Sequence, residues 1–244
     1  MGRPVKQDRR GASLRSLSRW PRRRRRPSIR RHAVPIFLFD LDNTLFDADR
    51  HCFPWMHEHI NAYLMTHLQM DRPAADALRR DYWQRYGSTL AGLLRHHAVD
   101  PCAYLEAIHP PVLAQSVPAD PALGRMLAAL PGPAYVFTNS VASHAQRVLE
   151  RLGVAHQVRA IFDVAACGFT GKPHLGAYRA VLRRLGVPAA RCWMFEDTLA
   201  NLRSARQLGM HTVYVGRPGR RAHSAQWKLR SLTSWGDDNA ECLP

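Results

Sequence analysis

Lysine is nearly absent from this chain. Of its 244 residues 35 are basic, yet only Lys6, Lys172 and Lys228 are lysines. Cysteine is scarce too: Cys52, Cys102, Cys167, Cys192 and Cys242 are odd in number, widely scattered and nowhere in a C-x-x-C pair. That pattern argues against a disulfide framework or a zinc finger and favours a reducing compartment, the cytoplasm. No run of 18 consecutive apolar residues occurs, which excludes a membrane-spanning helix. What is present is ordinary for a globular chain, with 46% hydrophobic and 22% charged residues. The length suits one large domain, or one domain carrying a smaller insertion.

Acidic residues are missing from one end. Residues 1–32 hold 13 Lys+Arg against a single acid, Asp8. The other 212 residues carry 22 basic and 18 acidic groups, so most of the formal net charge of +16 belongs to an arm. Few apolar groups and strong self-repulsion, with Arg22 to Arg26 unbroken, predict that residues 1–33 are disordered. Such an arm can contact nucleic acid or an anionic surface, can act as an organelle transit peptide, or can be a solvated extension without a role. A twin-arginine export signal is disfavoured, because the apolar run from Val34 is cut at Asp40.

Past Pro35, short apolar runs alternate with helical stretches. The runs Ile36–Phe39, Tyr135–Thr138, Ile161–Val164, Trp193–Phe195 and Thr212–Val215 read as strands buried on both faces. Ala142–Leu152, Gly176–Leu185 and Leu199–Leu208 read as helices between them. The alternation predicts an α/β fold: a doubly wound, mainly parallel, Rossmann-like sheet. About ninety residues between the first two strands break the rhythm. Their periodicity (Met56, Ile60, Tyr63, Leu64; Leu78, Tyr82, Trp83, Tyr86; Leu90, Leu93, Leu94) predicts an inserted α-helical cap of about four helices over residues 50–117. The core domain is then residues 34–49 and 118–216, and residues 217–244 receive no assignment.

Ligands of open α/β sheets bind at the carboxyl ends of the strands. There the sequence places Asp40-Leu41-Asp42-Asn43-Thr44, then Thr138-Asn139-Ser140, then Gly171-Lys172-Pro173, then Glu196-Asp197-Thr198. Each piece alone has a plain structural reading as a helix cap or a solvated loop. Lys172 is less ordinary, since a compact ammonium stands where arginine is the chain's habit. Jointly, acids, hydroxyls and one ammonium at four consecutive strand ends describe phosphoryl transfer through an aspartyl-phosphate. One carboxylate attacks phosphorus, and a second acid protonates the leaving oxygen and later activates water. Carboxylates repel a phosphate dianion, so the chemistry calls for a hard cation with oxygen ligands, and Mg²⁺ fits.

Phe37-Leu38-Phe39-Asp40-Leu41-Asp42-Asn43-Thr44-Leu45 resembles the first motif of the haloacid dehalogenase superfamily. Val136-Phe137-Thr138-Asn139-Ser140, Lys172-Pro173 and Phe195-Glu196-Asp197 are similar to its second, third and fourth motifs, in order. The resemblance implies Asp40 as nucleophile and Asp42 as general acid/base. It implies Mg²⁺ held by the Asp40 side chain, the Asp42 backbone carbonyl and Asp197. Thr138 and Lys172 would bind phosphate, with Asn139 nearby and Glu196 supporting the acidic loop. Dehalogenases of the superfamily generally lack the second aspartate of the first motif, so Asp42 points to a phosphatase.

Within the insertion, Tyr82-Trp83-Gln84-Arg85-Tyr86-Gly87-Ser88-Thr89-Leu90 and Leu94-Arg95-His96-His97 resemble the pyrimidine 5′-nucleotidase branch, as does Phe195 to Leu202. That likeness implies a nucleoside monophosphate such as UMP or CMP as the small phosphorylated partner. Tyr82, Trp83 and Tyr86 can stack on a base, with Arg85 or His96 beside it, or can simply pack the insertion's core. Leu175 departs from the branch, whose members usually carry proline after Lys172-Pro173-His174. Two other readings stay open: a phosphatase of sugar phosphates or phosphoglycolate, or a phosphomutase, of the same superfamily, and a nucleic-acid binder working through residues 1–32.

Overall fold

A computed structural model describes residues 34–216 and 225–235. The basic arm therefore lies outside the described residues, as does much of the unassigned tail. Among the described residues, six strands form one parallel sheet: β1 (Ile36–Phe39), β2 (Ala134–Phe137), β3 (Val158–Phe162), β4 (Cys192–Glu196), β5 (His211–Val215) and β6 (Trp227–Leu229). Their spatial order is β3-β2-β1-β4-β5-β6, so the direction of winding reverses between β1 and β4. That switch point opens a crevice at the carboxyl ends of β1 and β4.

Because side chains alternate along a strand, the sheet feeds two cores. Phe37, Phe39, Val136, Trp193, Phe195 and Val213 face helices α6 (Pro121–Ala128) and α7 (Ala142–Leu152). Ile36, Leu38, Phe137, Met194 and Tyr214 face α8 (Leu175–Leu185) and α9 (Leu199–Gln207). The fold is the doubly wound α/β sheet that the apolar runs imply. Its third strand begins earlier than those runs indicate, at Val158. As a sheet edge, β3 can expose Arg159 and Ala160 to solvent, so it needs no continuous apolar run. Val164 leaves the strand and packs instead against the helical insertion.

That insertion between β1 and β2 comprises α1 (Ala48–His51), α2 (Phe53–Leu68), α3 (Arg72–Tyr86), α4 (Thr89–His96) and α5 (Pro101–Ile108). A 3₁₀ turn at Pro111–Ala114 follows. Asp71, Ser88 and Asp100 each cap a helix by accepting from a backbone N–H, which explains the sharp breaks between them. Met56, Ile60, Tyr63, Leu64, Tyr82, Leu90, Leu93 and Tyr104 build its core. Two residues with the right period are exposed instead, Trp83 (62%) and Leu94 (40%). No described helix is long and apolar enough to cross a membrane.

The sixth strand comes from the segment left unassigned. Three residues are too few to show a period, and only their neighbours in space reveal their role. Trp227 and Trp235 pack on Trp193 with ring centroids at 4.5 and 5.7 Å, and Trp235 also meets Phe195 at 5.0 Å. Trp235 is buried beneath the strand that carries Glu196. Its replacement by alanine should cost about 3–5 kcal/mol, lowering the melting temperature by on the order of 10 °C. A thermal melt that moves by less than a few degrees would show that this corner collapses around the loss.

Candidate active site

The site is assembled by four loops that leave the carboxyl edge of the sheet. The backbone N–H of Asp40 donates to Phe195 O at 2.9 Å, tying the end of β1 to β4. Beyond it the chain must turn at once, and Asn43 adopts a left-handed conformation (φ 61°) that asparagine tolerates. Asp40, Thr138, Lys172 and Glu196 are all buried.

Lys172 is the hub. Its Nζ donates to Asp40 Oδ1 at 2.6 Å and to Glu196 Oε2 at 2.7 Å, and it sits 5.2 Å from the centre of the Phe137 ring. Burial works against the ammonium, but the two carboxylates outweigh it and hold its pKa above the usual value. Asn139 fixes the loop that carries it: Lys172 N donates to Asn139 Oδ1 at 2.7 Å, and Asn139 Nδ2 donates to Lys172 O at 2.8 Å. Gly171 permits that approach, since a Cβ there would lie 2.5 Å from Asn139 Oδ1. Gly87, at the end of α3 with φ 83°, likewise lets the insertion touch Pro173, where a Cβ would come within 2.6 Å.

Carboxylate oxygens of Asp40, Glu196 and Asp197 lie within 4.8 Å of one another. Crowding and burial make them reluctant to ionise together. Burial and the nearby Glu196 push Asp40 up to about 7, against the pull of Lys172. Burial pushes Glu196 up to about 7, Lys172 opposing and Asp197 reinforcing it. Burial and the charge of Asp40 raise Asp197 to about 6. One ammonium does not balance this set. An all-oxygen donor cluster with an excess of negative charge fits a hard divalent cation.

Asp42 stands apart from that cluster. Burial and the charge of Asp40 push it up to about 7. Its Oδ2 accepts from Ser140 Oγ at 3.0 Å, while Oδ1 is buried with no partner. Thr138 is buried at the end of β2, where its Oγ1 accepts from Ser140 N at 3.0 Å. All six singled-out residues, Asp40, Asp42, Thr138, Asn139, Lys172 and Asp197, thus fall at this one edge. The Asn139 amide is committed at both ends to the Lys172 backbone. Ser140, noted in the sequence only as a small polar group, proves to be the partner of Asp42. A composition of three small polar residues gives no sign of which one reaches an acid.

A cavity of about 980 Å³ opens over these groups, lined by Asp40, Asp42, Lys172 and Asp197 below and by Phe53, Arg79, Arg80, Trp83, Arg85 and Tyr86 above. The aromatic residues of α3 therefore divide. Tyr82 is buried in the insertion, donating to or accepting from His97 Nε2 at 2.8 Å. Trp83 and Tyr86 line the cavity. His96 does not; it lies by a separate pocket of about 500 Å³ with His67 and His97, and meets the Tyr86 hydroxyl at 2.6 Å.

A Rossmann-like sheet with acids, a buried lysine and a hydroxyl at its switch point defines a class of hydrolase. Residues 34–209 match the family described as haloacid dehalogenase-like hydrolase, and the chain belongs to it. Phosphate metabolism protein 8 of Saccharomyces cerevisiae is 26% identical over 205 residues, covering 75% of this chain and 62% of the yeast protein. The chain thus spans less than two thirds of that relative's length. Protein CbbY of Rhodobacter capsulatus is 35% identical over 80 residues, 30% of this chain and 35% of CbbY. Among solved structures, CbbY from Rhodobacter sphaeroides in complex with phosphate superposes with a TM-score of 0.59 at 19% identity, over 84% of this chain and 97% of that one. L-2-haloacid dehalogenase from Xanthobacter autotrophicus gives 0.55 at 16% identity, over 85% and 100%. These structures share the fold.

Proposed function

We propose that the protein is a Mg²⁺-dependent phosphomonoesterase that works through an aspartyl-phosphate. The observation that carries this reading is the buried Asp40, held by Lys172 at 2.6 Å beside two further carboxylates. Asp40, the Asp42 backbone carbonyl and Asp197 would hold the ion, which supplies the positive charge that lets a carboxylate approach a phosphate dianion. Asp40 attacks phosphorus, and the phosphoryl oxygens rest against Lys172 and Thr138 as charge redistributes. Asp42 gives its proton to the departing oxygen and takes one from the water that hydrolyses the intermediate. Asn139 serves by holding the Lys172 loop, and Glu196 by sharing the ammonium. The presence of Asp42 supports phosphate over halide chemistry.

For the substrate we favour a pyrimidine nucleoside 5′-monophosphate. Trp83, 62% exposed and lining the cavity with Tyr86 and Phe53, offers an open aromatic face for a base. A sugar phosphate or phosphoglycolate is the second reading. It is supported by the likeness to CbbY, one structure of which holds xylulose-1,5-bisphosphate, and by Arg79, Arg80 and Arg85 around the same cavity. Phosphate release from UMP, CMP, sugar phosphates and phosphoglycolate, with and without Mg²⁺, separates the two. No release from any of them, with the protein folded and Mg²⁺ present, would overturn the phosphatase reading. The described cysteines are unpaired, which supports a reducing cytoplasm as the place of action.

One outcome follows for the ion. Asp197→Ala removes an oxygen ligand from a hard-cation site, so the Mg²⁺ concentration for half-maximal rate should rise by on the order of tenfold or more. A Mg²⁺ titration of initial rates reads this directly. An unchanged half-saturation would remove Asp197 from the metal site.

A further inference from the structure

We propose that Ser140 is the positioning residue that presents Asp42 to the leaving group. The inference rests on the phosphomonoesterase reading and deepens it. Three observations converge on Ser140. Its Oγ donates to Asp42 Oδ2 at 3.0 Å across 98 residues of chain, joining the end of β2 to the end of β1. Its backbone is fixed on both sides: Ser140 N donates to Thr138 Oγ1 at 3.0 Å, and Val164 N donates to Ser140 O at 3.3 Å. The other Asp42 oxygen, Oδ1, is buried and has no partner.

Together these make Asp42 asymmetric. A carboxyl group free to rotate shares its proton between two oxygens and points it in many directions. With Oδ2 accepting from a hydroxyl that is itself clamped, the carboxyl group of Asp42 is held in one orientation at the edge of the cavity that it lines. As the bond from Asp40 to phosphorus forms and the bond from phosphorus to the substrate's ester oxygen breaks, the proton of the Asp42 carboxyl passes to the departing oxygen. The alcohol leaves neutral and Asp42 remains a carboxylate. Attack of water on the phosphorus then returns a proton to Asp42, freeing inorganic phosphate and the Asp40 carboxylate. Ser140 exchanges no proton in either half. Its contribution is orientation, which matters most when the departing oxygen is a strong base and needs its proton early.

The test is a comparison of two aryl esters, p-nitrophenyl phosphate and phenyl phosphate, which differ in one substituent and in how readily the phenoxide leaves. Ser140→Ala should lower kcat/KM for phenyl phosphate about tenfold more than for p-nitrophenyl phosphate. Ser140→Thr keeps the hydroxyl and should restore the wild-type ratio. In an Asp42→Ala background, Ser140→Ala should add no further loss, because the acid it orients is gone. Equal losses on both esters, or additive losses in the double variant, would reduce Ser140 to a packing residue and overturn the inference. A folded wild-type protein that, with Mg²⁺ present, releases phosphate from neither ester nor from UMP, CMP, sugar phosphates or phosphoglycolate overturns the phosphomonoesterase reading itself. If Asp42→Ala alone leaves the ratio of the two esters untouched, Asp42 is not the acid and the inference fails at that step.

Discussion

An Asp40→Asn protein is expected to fold as the wild type does and to lose turnover by on the order of 10⁴-fold or more. The amide is nearly isosteric, but it has no anionic lone pair to offer phosphorus and cannot form an acyl phosphate. Folding should survive for a reason visible in the charges. Asp40 shares Lys172 with Glu196, whose Oε2 stays 2.7 Å from the ammonium when Asp40 is neutralised. Asparagine Oδ1 can still accept from Lys172, and one member of a mutually repelling cluster is removed. The melting temperature in the absence of metal should therefore hold or rise. Phosphate release and a thermal melt on the same preparation give both answers. Near-wild-type turnover would remove Asp40 from the role of nucleophile.

The sequence was readable where chemistry and burial wrote the same letters. Ile36–Phe39 and Trp193–Phe195 are apolar because they are buried on both faces, and the acids Asp40 and Glu196, themselves buried, begin where each strand reaches the carboxyl edge of the sheet. A site built from strand ends is thus announced by abrupt changes in polarity. Where a residue's role depends on a distant partner, nothing local gives it away. Trp227 to Leu229 became a strand only because Val213, Tyr214 and Val215 lie beside them. Trp83 has the period of a core residue but is exposed above the cavity, whereas Tyr82 next to it is buried. The difference lies in how α3 rolls on its neighbours, which periodicity does not report. Asn139 and Ser140 are alike as small polar groups after a strand, yet one locks the Lys172 loop and the other bonds Asp42.

Lys172→Met should be as damaging to activity as any change outside Asp40, and its effect on stability should depend on pH. Methionine has a similar length and no charge, so the volume is kept and two charge-assisted hydrogen bonds are lost. Losing a cationic partner of the phosphoryl oxygens should cost on the order of 10²–10³-fold in kcat. The stability effect follows from the acids left behind. Burial already raises Asp40 and Glu196 to about 7 with the ammonium present, and its removal raises them further. A carboxyl whose pKa is higher folded than unfolded stabilises the folded state below its unfolded pKa of about 4. That contribution is lost as pH rises through the folded value. At about pH 5.5, between those two values, the acids beside the uncharged replacement hold their protons and the variant should melt close to the wild type. At about pH 8 the wild type ionises against Lys172, while the variant must bury carboxylates unpaired or take up protons from solution to avoid it. Breaking a buried pair in this way costs about 3–5 kcal/mol, which opens a gap of on the order of 10 °C. The melts are compared in EDTA, so that no divalent cation substitutes for the missing ammonium. A gap that is equal at both pH values would mean that the lysine's charge does not balance these acids, and that its place in the site is one of shape alone.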